Sequence, residues 1–402
     1  MADFVGPTSP STSKKPKLDT VFEKFRAQFK ELDQFKSAYN SLCFDRRNPL
    51  IAQEITSCNA AAGYGISFSR ASCETRPYAD EIYPFGIIFT DAIMLLNNFF
   101  TKPDYVPDNK VSRLLLEKLI HFLMDENSHA ILKRIQRTDL SKTELMIVLA
   151  EHFFSKLSLS DTYTMDHSAK YKGISLCKCG SCKPEFVSPC FGDTSVGNPD
   201  CWHGSLDILL GSIESFVHVA PPEEEISPGG RASIEVKPKS VEERGFRSQT
   251  LAQIIVFSFL QKQRHPNLDN FLIPCMAATR KEIKIYFYDS KHDILLESRG
   301  IKLLVEIPGS RCQVNYEAIL AAWLVLNYKY LCSGPHESLL EAPKANFFSL
   351  ASSSLEMYEK DLAFKNVVAV NAFADYDFID ITKPKFVWPS NLPCRPVNSE
   401  SK

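Results

Sequence analysis

Apolar side chains recur every three or four positions in the first part of the chain, which is the spacing of a helix with one buried face. This spacing predicts helices at about residues 19–40, 80–100, 110–125 and 141–158. The last helix begins with a capping box, in which the side chains of Ser141 and Glu144 each bind the other residue's backbone N–H. We therefore expect a helical region over residues 19–140, ahead of a domain of different architecture.

The pattern changes after about residue 170, where short apolar runs alternate with turn-forming residues. Strands are predicted at SLDILLG, SFVHVA, ASIEVK, NFLIPCMAA, EIKIYFYD and DILLES, with helices at about 248–263 and 315–331. Residues 220–230 (APPEEEISPGG) predict a loop, because prolines, glutamates and a Gly-Gly pair leave nothing to pack. The second part of the chain is therefore predicted to be a sheet with helices.

Two of the predicted strands carry charged side chains: Asp207 in GSLDILLG, and Glu235 and Lys237 in SIEVK. A carboxylate without a partner is costly in a buried strand. Strand alternation places Glu235 and Lys237 on one face, so the three groups can converge if the two strands are neighbours. A cation between the two carboxylates would then relieve their repulsion, and hard oxygen ligands suit Mg²⁺ or Mn²⁺. The alternative is that these are solvated sheet residues, with Lys237 as a surface counter-ion.

The helix that follows, SQTLAQIIVFSFL, is apolar on almost every side, as expected of a buried helix. Gln249 and Gln253 nevertheless stand four residues apart on one of its faces. Buried amides need hydrogen-bond partners, and a metal-bound water or a phosphate would provide them.

An aspartate on one strand, Glu-x-Lys on the next and a helix with glutamines after it resemble the PD-(D/E)XK nuclease superfamily, most closely its RecB-like and lambda-exonuclease branch. The resemblance implies an α/β (α+β) fold with a restriction-endonuclease-like core, which is a helix, three strands, a helix and a further strand, over residues 141–300. It also implies that Asp207, Glu235 and the backbone carbonyl of Val236 bind one or two Mg²⁺ ions, while Lys237 serves the attacking water.

The same resemblance implies further candidate site residues. Gln253 and Phe257 are similar to the branch's Gln-x3-Tyr motif, with Phe in place of Tyr. Members of the superfamily often add an acidic residue from the helix before the strands. Glu151 is the first candidate for it, because it interrupts a strongly apolar helix, and Glu54 is the second.

The function predicted from this resemblance is a metal-dependent nuclease that hydrolyses phosphodiester bonds, in DNA rather than RNA. Residues 231–265 contain seven Lys or Arg against three Glu, a balance that suits a phosphate track or a solvated rim. An inactive nuclease-derived module that binds nucleic acid or protein is the alternative, and a zinc-stapled scaffold with no nucleic-acid role is a third. Nothing in the sequence sets the oligomeric state.

A cysteine-rich stretch lies between residues 177 and 203. Cys177, Cys179 and Cys182 form a C-x-C-x2-C motif tight enough to hold one structural Zn²⁺, with Cys190, Cys201 or His203 as the fourth ligand. An iron–sulfur cluster is the lesser option, since its ligands in RecB-like nucleases flank the core from both sides. A loop of reduced thiols without metal is the other interpretation.

Charge and hydropathy limit the partners and the cellular location that the sequence predicts. A formal net charge of −2 gives no overall attraction for nucleic acid, so any such site is local. The chain starts without a signal-peptide-like apolar run, and its longest apolar stretch, 318–328, is too short for a bilayer. We therefore expect an intracellular protein with no membrane contact, nuclear or cytoplasmic, with a basic import-like pattern at Lys14–Lys17. The expected flanking parts are a disordered tail at 1–18, a C-terminal helix and extension at 301–390, and a frayed end at 391–402.

Overall fold

The computed structural model describes residues 20–45, 47–160, 162–167, 177, 179, 182, 190–210, 215–219, 241–268, 270–306 and 312–367. Several predictions fall outside these residues. They are the predicted strand ASIEVK with Glu235, Val236 and Lys237, the loop at 220–230, the import-like pattern and the two tails.

The helices are α1 (Thr20–Gln28), α2 (Leu32–Cys43), α3 (Thr90–Thr101), α4 (Lys110–Leu123), α5 (Glu126–Ile135), α6 (Lys142–Leu149), α7 (Ser155–Leu157), α8 (Val241–Arg264), α9 (Tyr316–Leu326), α10 (Tyr328–Leu331), α11 (Glu337–Leu340), α12 (Phe347–Leu350) and α13 (Leu355–Lys360). A π-helical turn, Ala150–Phe154, joins α6 to α7, and short 3-10 turns lie at Phe68–Arg70 and Phe85–Ile87. Within the described ranges, no helix combines the length and the apolar character needed to cross a membrane.

The strands are β1 (Leu50–Cys58), β2 (Ile66–Ser67), β3 (Cys73–Tyr83), β4 (Tyr163–Asp166), β5 (Phe191–Gly192), β6 (Ser195–Gly197), β7 (Trp202–Ser205), β8 (Ile208–Leu210), β9 (Ser215–Val219), β10 (Leu272–Ala278), β11 (Glu282–Asp289), β12 (Ile294–Ser298), β13 (Ile301–Lys302), β14 (Leu304–Val305), β15 (Gln313–Val314) and β16 (Ala363–Phe364). The predicted mixed α/β (α+β) class is confirmed, since helices surround several mixed sheets.

The main sheet has the order β3-β1-β12-β11-β10-β9-β8-β4-β5, with β13 paired to β11. Strands β4, β8 and β9 are antiparallel neighbours, whereas β9 and β10 are parallel. A parallel pair needs a crossover, and the long helix α8 lies between β9 and β10 in the chain. A smaller sheet has the order β16-β6-β7-β2, and β14 pairs with β15.

The core lies between this sheet and the helices α8 and α9, both of which pack against β10 and β11. Helix α9 is buried at every position except Glu317, and β10 is buried at every position. Their sequences, YEAILAAWLVL and LIPCMAA, are nearly free of charge, as expected for elements covered on all sides.

The region predicted to be helical, 19–140, also contains two long strands. Strand β1 pairs with β12, with Leu50 opposite Ser298, and β3 pairs with β1 at the sheet edge. The first helix of the chain is divided into α1 and α2, and the helix predicted at 80–100 begins at Thr90 because β3 runs to Tyr83. The N-terminal region therefore shares one sheet with the predicted core.

Candidate functional site

Asp207 lies immediately before β8, at the start of the apolar run rather than inside the strand. Its backbone carbonyl accepts a hydrogen bond from the N–H of Asp166 on β4, at 3.2 Å. On the other side of β8, Ile208 pairs with Val217 in antiparallel register, so His218 is the residue opposite Asp207. The carboxylate is thus presented at the end of β8, where two neighbouring strands meet.

Three groups contact the carboxylate of Asp207. The Nζ atom of Lys142, the first residue of α6, lies 2.9 Å from Oδ1. The Nδ1 atom of His218 lies 2.6 Å from Oδ2, and the backbone N–H of Val219 donates to the same oxygen at 2.9 Å. Both oxygens are therefore engaged by groups of the protein itself.

The charges at this site follow from burial and from the ion pairs. Burial alone would raise the pKa of Asp207, but the adjacent His218 and Lys142 outweigh it and hold that pKa well below its usual range. The side chain of His218 is only 1% exposed, and burial lowers its pKa despite the neighbouring carboxylate. At neutral pH the imidazole is therefore neutral, and Lys142 supplies the balancing positive charge.

Helix α8 covers the face of β9 on which His218 lies. The imidazole stacks on the ring of Phe246, with centroids 4.5 Å apart and an interplanar angle of 18°. Two residues earlier on β9, Phe216 makes an edge contact with Phe257, with centroids 4.9 Å apart. Phe257, where the resembled motif has Tyr, is thus a buried packing residue.

Gln253 also points from α8 toward this part of the sheet. Its Nε2 donates to the carbonyl of Ser205, two residues before Asp207, at 3.2 Å. The residue is 0% exposed, and its Oε1 has no hydrogen-bond partner among the described residues. Gln249, one turn earlier, is half-buried. Gln253 is therefore buried close to Asp207, and one of its polar atoms has no partner there.

The structure places the two further acidic candidates away from Asp207. Glu151 lies on the π-helical turn, and its Oε2 accepts a hydrogen bond from the hydroxyl of Tyr163 at 3.0 Å. Glu54 lies on β1, which four strands of the sheet separate from β8, and it pairs with Arg76 at 2.6 Å. Glu54 is thus a surface ion-pair residue and not a neighbour of Asp207.

Convergence of Glu235 and Lys237 with Asp207 required their two strands to be neighbours. Along Ile208–Leu210, however, β8 is hydrogen-bonded to β4 on one side and to β9 on the other. Each edge of a strand accepts one partner, so the sheet position opposite Asp207 belongs to His218. Glu235, Val236 and Lys237 themselves lie outside the described residues.

In the predicted basic stretch at 231–265, the structure describes the side chains of three cations, and each contacts another part of the chain. Arg247 donates to the carboxylate of Glu297, and Lys262 lies 3.6 Å from that of Glu359. Arg264 lies over the ring of Phe364, 5.1 Å from its centroid. These three side chains make internal contacts, and the remaining cations of the stretch lie outside the described side chains.

A second polar group includes His152, which lies on the π-helical turn after α6. His152, Cys177, Cys179 and Cys182 bring their ligand atoms within 4.8 Å of one another. The Nε2 atom of His152 lies 3.4 Å from the Sγ of Cys177 and 3.3 Å from that of Cys182. In a tetrahedral zinc site, ligand atoms stand about 3.4–3.8 Å apart, given bonds of about 2.0–2.3 Å. The group could therefore hold a metal ion such as zinc after only a small contraction.

The protonation of this Cys/His cluster suits a soft cation. Burial lowers the pKa of His152 to about 4, so the imidazole is neutral, as a metal ligand must be. Burial also raises the pKa of Cys177 well above its usual value and that of Cys182 to about 11. Without a cation the thiols would stay protonated, whereas a bound Zn²⁺ stabilises their thiolate forms.

No protein family, curated protein or solved structure matches this chain. The function of the two sites is accordingly argued from their own residues.

The fourth member of the Cys/His cluster differs from the residues expected at that position. The carbonyl of Cys190 accepts the N–H of Met165, and its thiol is not part of the group. Cys201 is buried elsewhere, and the Nδ1 of His203 lies 2.9 Å from the Cys201 carbonyl. His152 takes the position because the π-helical turn directs it toward the three thiols, and π-helical turns often occur at functional sites.

Sequence reasoning missed three residues of these sites: Lys142, His152 and His218. One signal was present for His152, since it interrupts the apolar helix beside Glu151 in the run LAEHFF. His218 similarly interrupts the apolar run SFVHV. A titratable residue in such a run was the same signal that singled out Asp207.

Proposed function

We propose that the chain is a metal-dependent nuclease with a restriction-endonuclease-like core, acting on phosphodiester bonds of DNA in preference to RNA. The observation that carries this proposal is the order of the elements around Asp207. Helix α6, the antiparallel strands β4, β8 and β9, the crossover helix α8 and the parallel strand β10 occur in this chain order, with α7 between α6 and β4 and the short strands β5–β7 between β4 and β8. The order corresponds to the helix, three strands, helix and strand that the sequence resemblance implies, with Asp207 at the start of the second strand.

The proposed roles follow from this arrangement. Asp207 is ionised and held at a strand end, which suits a ligand of Mg²⁺ or Mn²⁺. The only group of three or more His, Cys, Asp or Glu ligands among the described residues is the Cys/His cluster. A magnesium site would therefore need Glu235 and the carbonyl of Val236 as further ligands. The metal would stabilise the charge that develops on the phosphate, and Lys142, once separated from Asp207, could contribute to the same stabilisation.

We further propose a structural role for a metal in the Cys/His cluster. One imidazole and three thiolates fill a tetrahedral coordination sphere, which leaves no open position for a substrate. Such a site fastens the segment with Cys177, Cys179 and Cys182 to the helix that starts at Lys142. It would thereby stabilise the elements that surround Asp207.

Substitution of Asp207 tests the nuclease proposal. Asp207→Asn keeps the shape of the side chain and the bond from Val219 but removes the ligand charge, so Mg²⁺-dependent cleavage should fall at least ~10²-fold. The measurement is cleavage of labelled single-stranded, duplex and flapped oligonucleotides with Mg²⁺ or Mn²⁺. Glu54→Gln is the matched control, because it removes a carboxylate four strands away and should leave cleavage unchanged. Wild-type rates in the Asp207→Asn protein would contradict the assignment.

A second candidate function is an inactive nuclease-derived module that binds nucleic acid or protein. It is favoured by the contacts of Asp207, whose oxygens are already bound by Lys142, His218 and the Val219 N–H. A histidine also stands where the resemblance leads us to expect a glutamate. Wild-type protein that binds oligonucleotides but cuts none of them with any divalent metal would select this function over the first.

A further inference from the structure

One end of the main sheet brings cationic side chains together beside Asp207. The N–H of Val219, the last residue of β9, donates to the Asp207 carboxylate, and Val219 pairs with Ala278, the last residue of β10. The turn between β10 and β11 therefore lies at the same end of the sheet. This turn carries Arg280 and Lys281.

The connection between α5 and α6 packs against that turn. Arg280 donates through Nη1 to the carbonyl of Thr138 at 3.1 Å, and Gln136 donates to the carbonyl of Arg280. Thr138 precedes Lys142 by only four residues, and Lys142 is the residue that pairs with Asp207. The exposed side chain of Arg137 belongs to this connection. Arg137, Arg280 and Lys281 thus lie along one edge that leads to Asp207.

Two more cations extend this edge. Lys302 on β13 stands opposite Glu282, the first residue of β11, and Arg299 follows the end of β12. Both side chains are exposed. The basic rim is defined here as Arg137, Arg280, Arg299 and Lys302.

Acidic groups also lie near the basic rim. Asp207 is paired with Lys142, and Asp166 beside it lies 3.4 Å from Nδ1 of His167. Asp139 and Glu282 lie next to the rim in the chain. Arg137, Arg280, Arg299 and Lys302 form no ion pair with any other residue that the structure describes. Among the described residues, these four cations can therefore contact an external anion.

The opposite end of the sheet is different. There Lys262 lies 3.6 Å from Glu359, and Lys360 lies 2.8 Å from Glu356. These two cations are balanced by acidic groups of the same chain.

The extent of the basic rim indicates the shape of the anion. From Asp207 before β8 to Arg299 after β12 the sheet spans four strand spacings, or about 19 Å at about 4.8 Å each, with the rim residues in the half from β10 to β12. Along the axis of a B-form duplex each strand places a phosphate about every 3.4 Å, so the whole distance matches five or six phosphates. A row of cations fits a linear polyanion, and the guanidinium groups of Arg suit phosphate oxygens in particular.

We infer that the basic rim binds the phosphate backbone of nucleic acid and leads the strand to Asp207. This inference rests on the proposed nuclease function, of which it names the substrate-contact surface.

Binding without cleavage tests the basic rim directly. The double variant Arg137→Gln/Arg280→Gln removes two of its charges. The double variant Lys291→Gln/Lys344→Gln removes two exposed charges at the opposite end of the sheet and is the matched control. Affinity for a labelled oligonucleotide is measured by fluorescence anisotropy, with Ca²⁺ in place of Mg²⁺, between about 50 and about 200 mM salt.

The rim variant should raise Kd about tenfold and reduce the slope of log K against log salt by about 1.8 on duplex DNA. The single variant Arg137→Gln should reduce the slope by about 0.9. This single variant controls for a folding defect. Arg280→Gln also loses the hydrogen bond to the Thr138 carbonyl, whereas the Arg137 side chain makes no hydrogen bond within the described residues. The control variant should bind like wild type.

Several outcomes would overturn the inference. They are equal Kd values for the rim variants and wild type, equal weakening in the rim and control variants, or no binding by wild type at low salt. The cleavage assay separates this inference from the nuclease proposal. Weakened binding in the rim variants with no cleavage by wild type would support the basic rim and reject the nuclease, whereas cleavage with unchanged binding would do the reverse.

Discussion

The two polar sites on the helix that begins at Lys142 differ in the source of their balancing charge. At Asp207, Lys142 supplies the balancing positive charge and His218 lies 2.6 Å from the carboxylate, so the site is satisfied by the protein alone. At the Cys/His cluster, three thiols and a neutral imidazole converge, and a cation would have to come from outside. A metal ion should therefore bind the Cys/His cluster tightly, whereas a metal ion at Asp207 must first displace Lys142.

The largest expected effect is the loss of metal from the Cys/His cluster. Protein purified without chelator should contain about one zinc per chain, and His152→Ala should lower the zinc content and the Tm together. Structural zinc sites contribute on the order of 10 kcal/mol in apparent binding free energy, so the fold should respond strongly. Elemental analysis and thermal unfolding measure both quantities.

Cys190→Ser is the control for this prediction, because Cys190 was a candidate ligand from the sequence but lies outside the cluster. It should retain its zinc and its Tm. Zinc lost from Cys190→Ser but kept in His152→Ala would reverse the assignment of the fourth ligand. Wild-type protein that contains neither zinc nor iron would contradict the metal site and support the interpretation of a loop of reduced thiols.

An intermediate effect is expected from Lys142→Met, which leaves the Asp207 carboxylate beside a neutral imidazole. Breaking a buried ion pair costs about 3–5 kcal/mol, but Lys142 is 30% exposed, so a loss of about 1–2 kcal/mol in the free energy of unfolding is expected at neutral pH. Urea denaturation measures it.

The loss of stability in Lys142→Met should depend on pH. The pKa of Asp207 is lowered in the folded protein, so its stabilising contribution is present above its unfolded pKa of about 3.9 and is lost as the pH falls toward the folded value. In Lys142→Met that pKa should rise, so acidification should cost the variant less than wild type. The stability gap between the two proteins should therefore narrow below about pH 4. A gap that stays constant with pH would show that the carboxylate is not coupled to Lys142.

The smallest effect on stability is expected from Gln253→Leu. The change loses the bond to the Ser205 carbonyl but also removes the buried Oε1 that lacks a partner among the described residues, so the unfolding free energy should change by less than about 1 kcal/mol. If Gln253 positions a water or a phosphate, cleavage should nevertheless fall sharply. Both quantities are measured on one preparation, with the half-buried Gln249→Leu for comparison. Unchanged cleavage would remove Gln253 from the site.

Elements with strong local signals were predicted closely. The capping box of Ser141 and Glu144 is present, and the predicted strand EIKIYFYD coincides with β11. Strand β3 was missed because it is an edge strand whose residues are largely exposed, and its sequence CETRPYADEIY contains a proline and several charges. Such a strand is defined by its pairing with β1, which local periodicity does not reveal.

The sites were predicted less completely, for a related reason. Asp207, Cys177, Cys179 and Cys182 each stand out against their own sequence neighbours. Lys142 and His218 become significant only because the packing of α6 and the register of β9 bring them to Asp207. A ligand distant in sequence is set by the tertiary structure, so spacing rules select among nearby residues and overlook it.

The π-helical turn at Ala150–Phe154 affects the angle, measured about the helix axis, between the side chains of Lys142 and His152. Ten residues separate Lys142 from His152, and a regular α-helix of that length would rotate by about 1000°, fixing the two side chains at one relative azimuth. A π turn takes more residues per revolution and so changes that azimuth within a single turn. It allows His152 to face the thiols while Lys142 faces Asp207, with the strands left in register. A one-residue insertion or deletion in this turn would therefore rotate one site relative to the other.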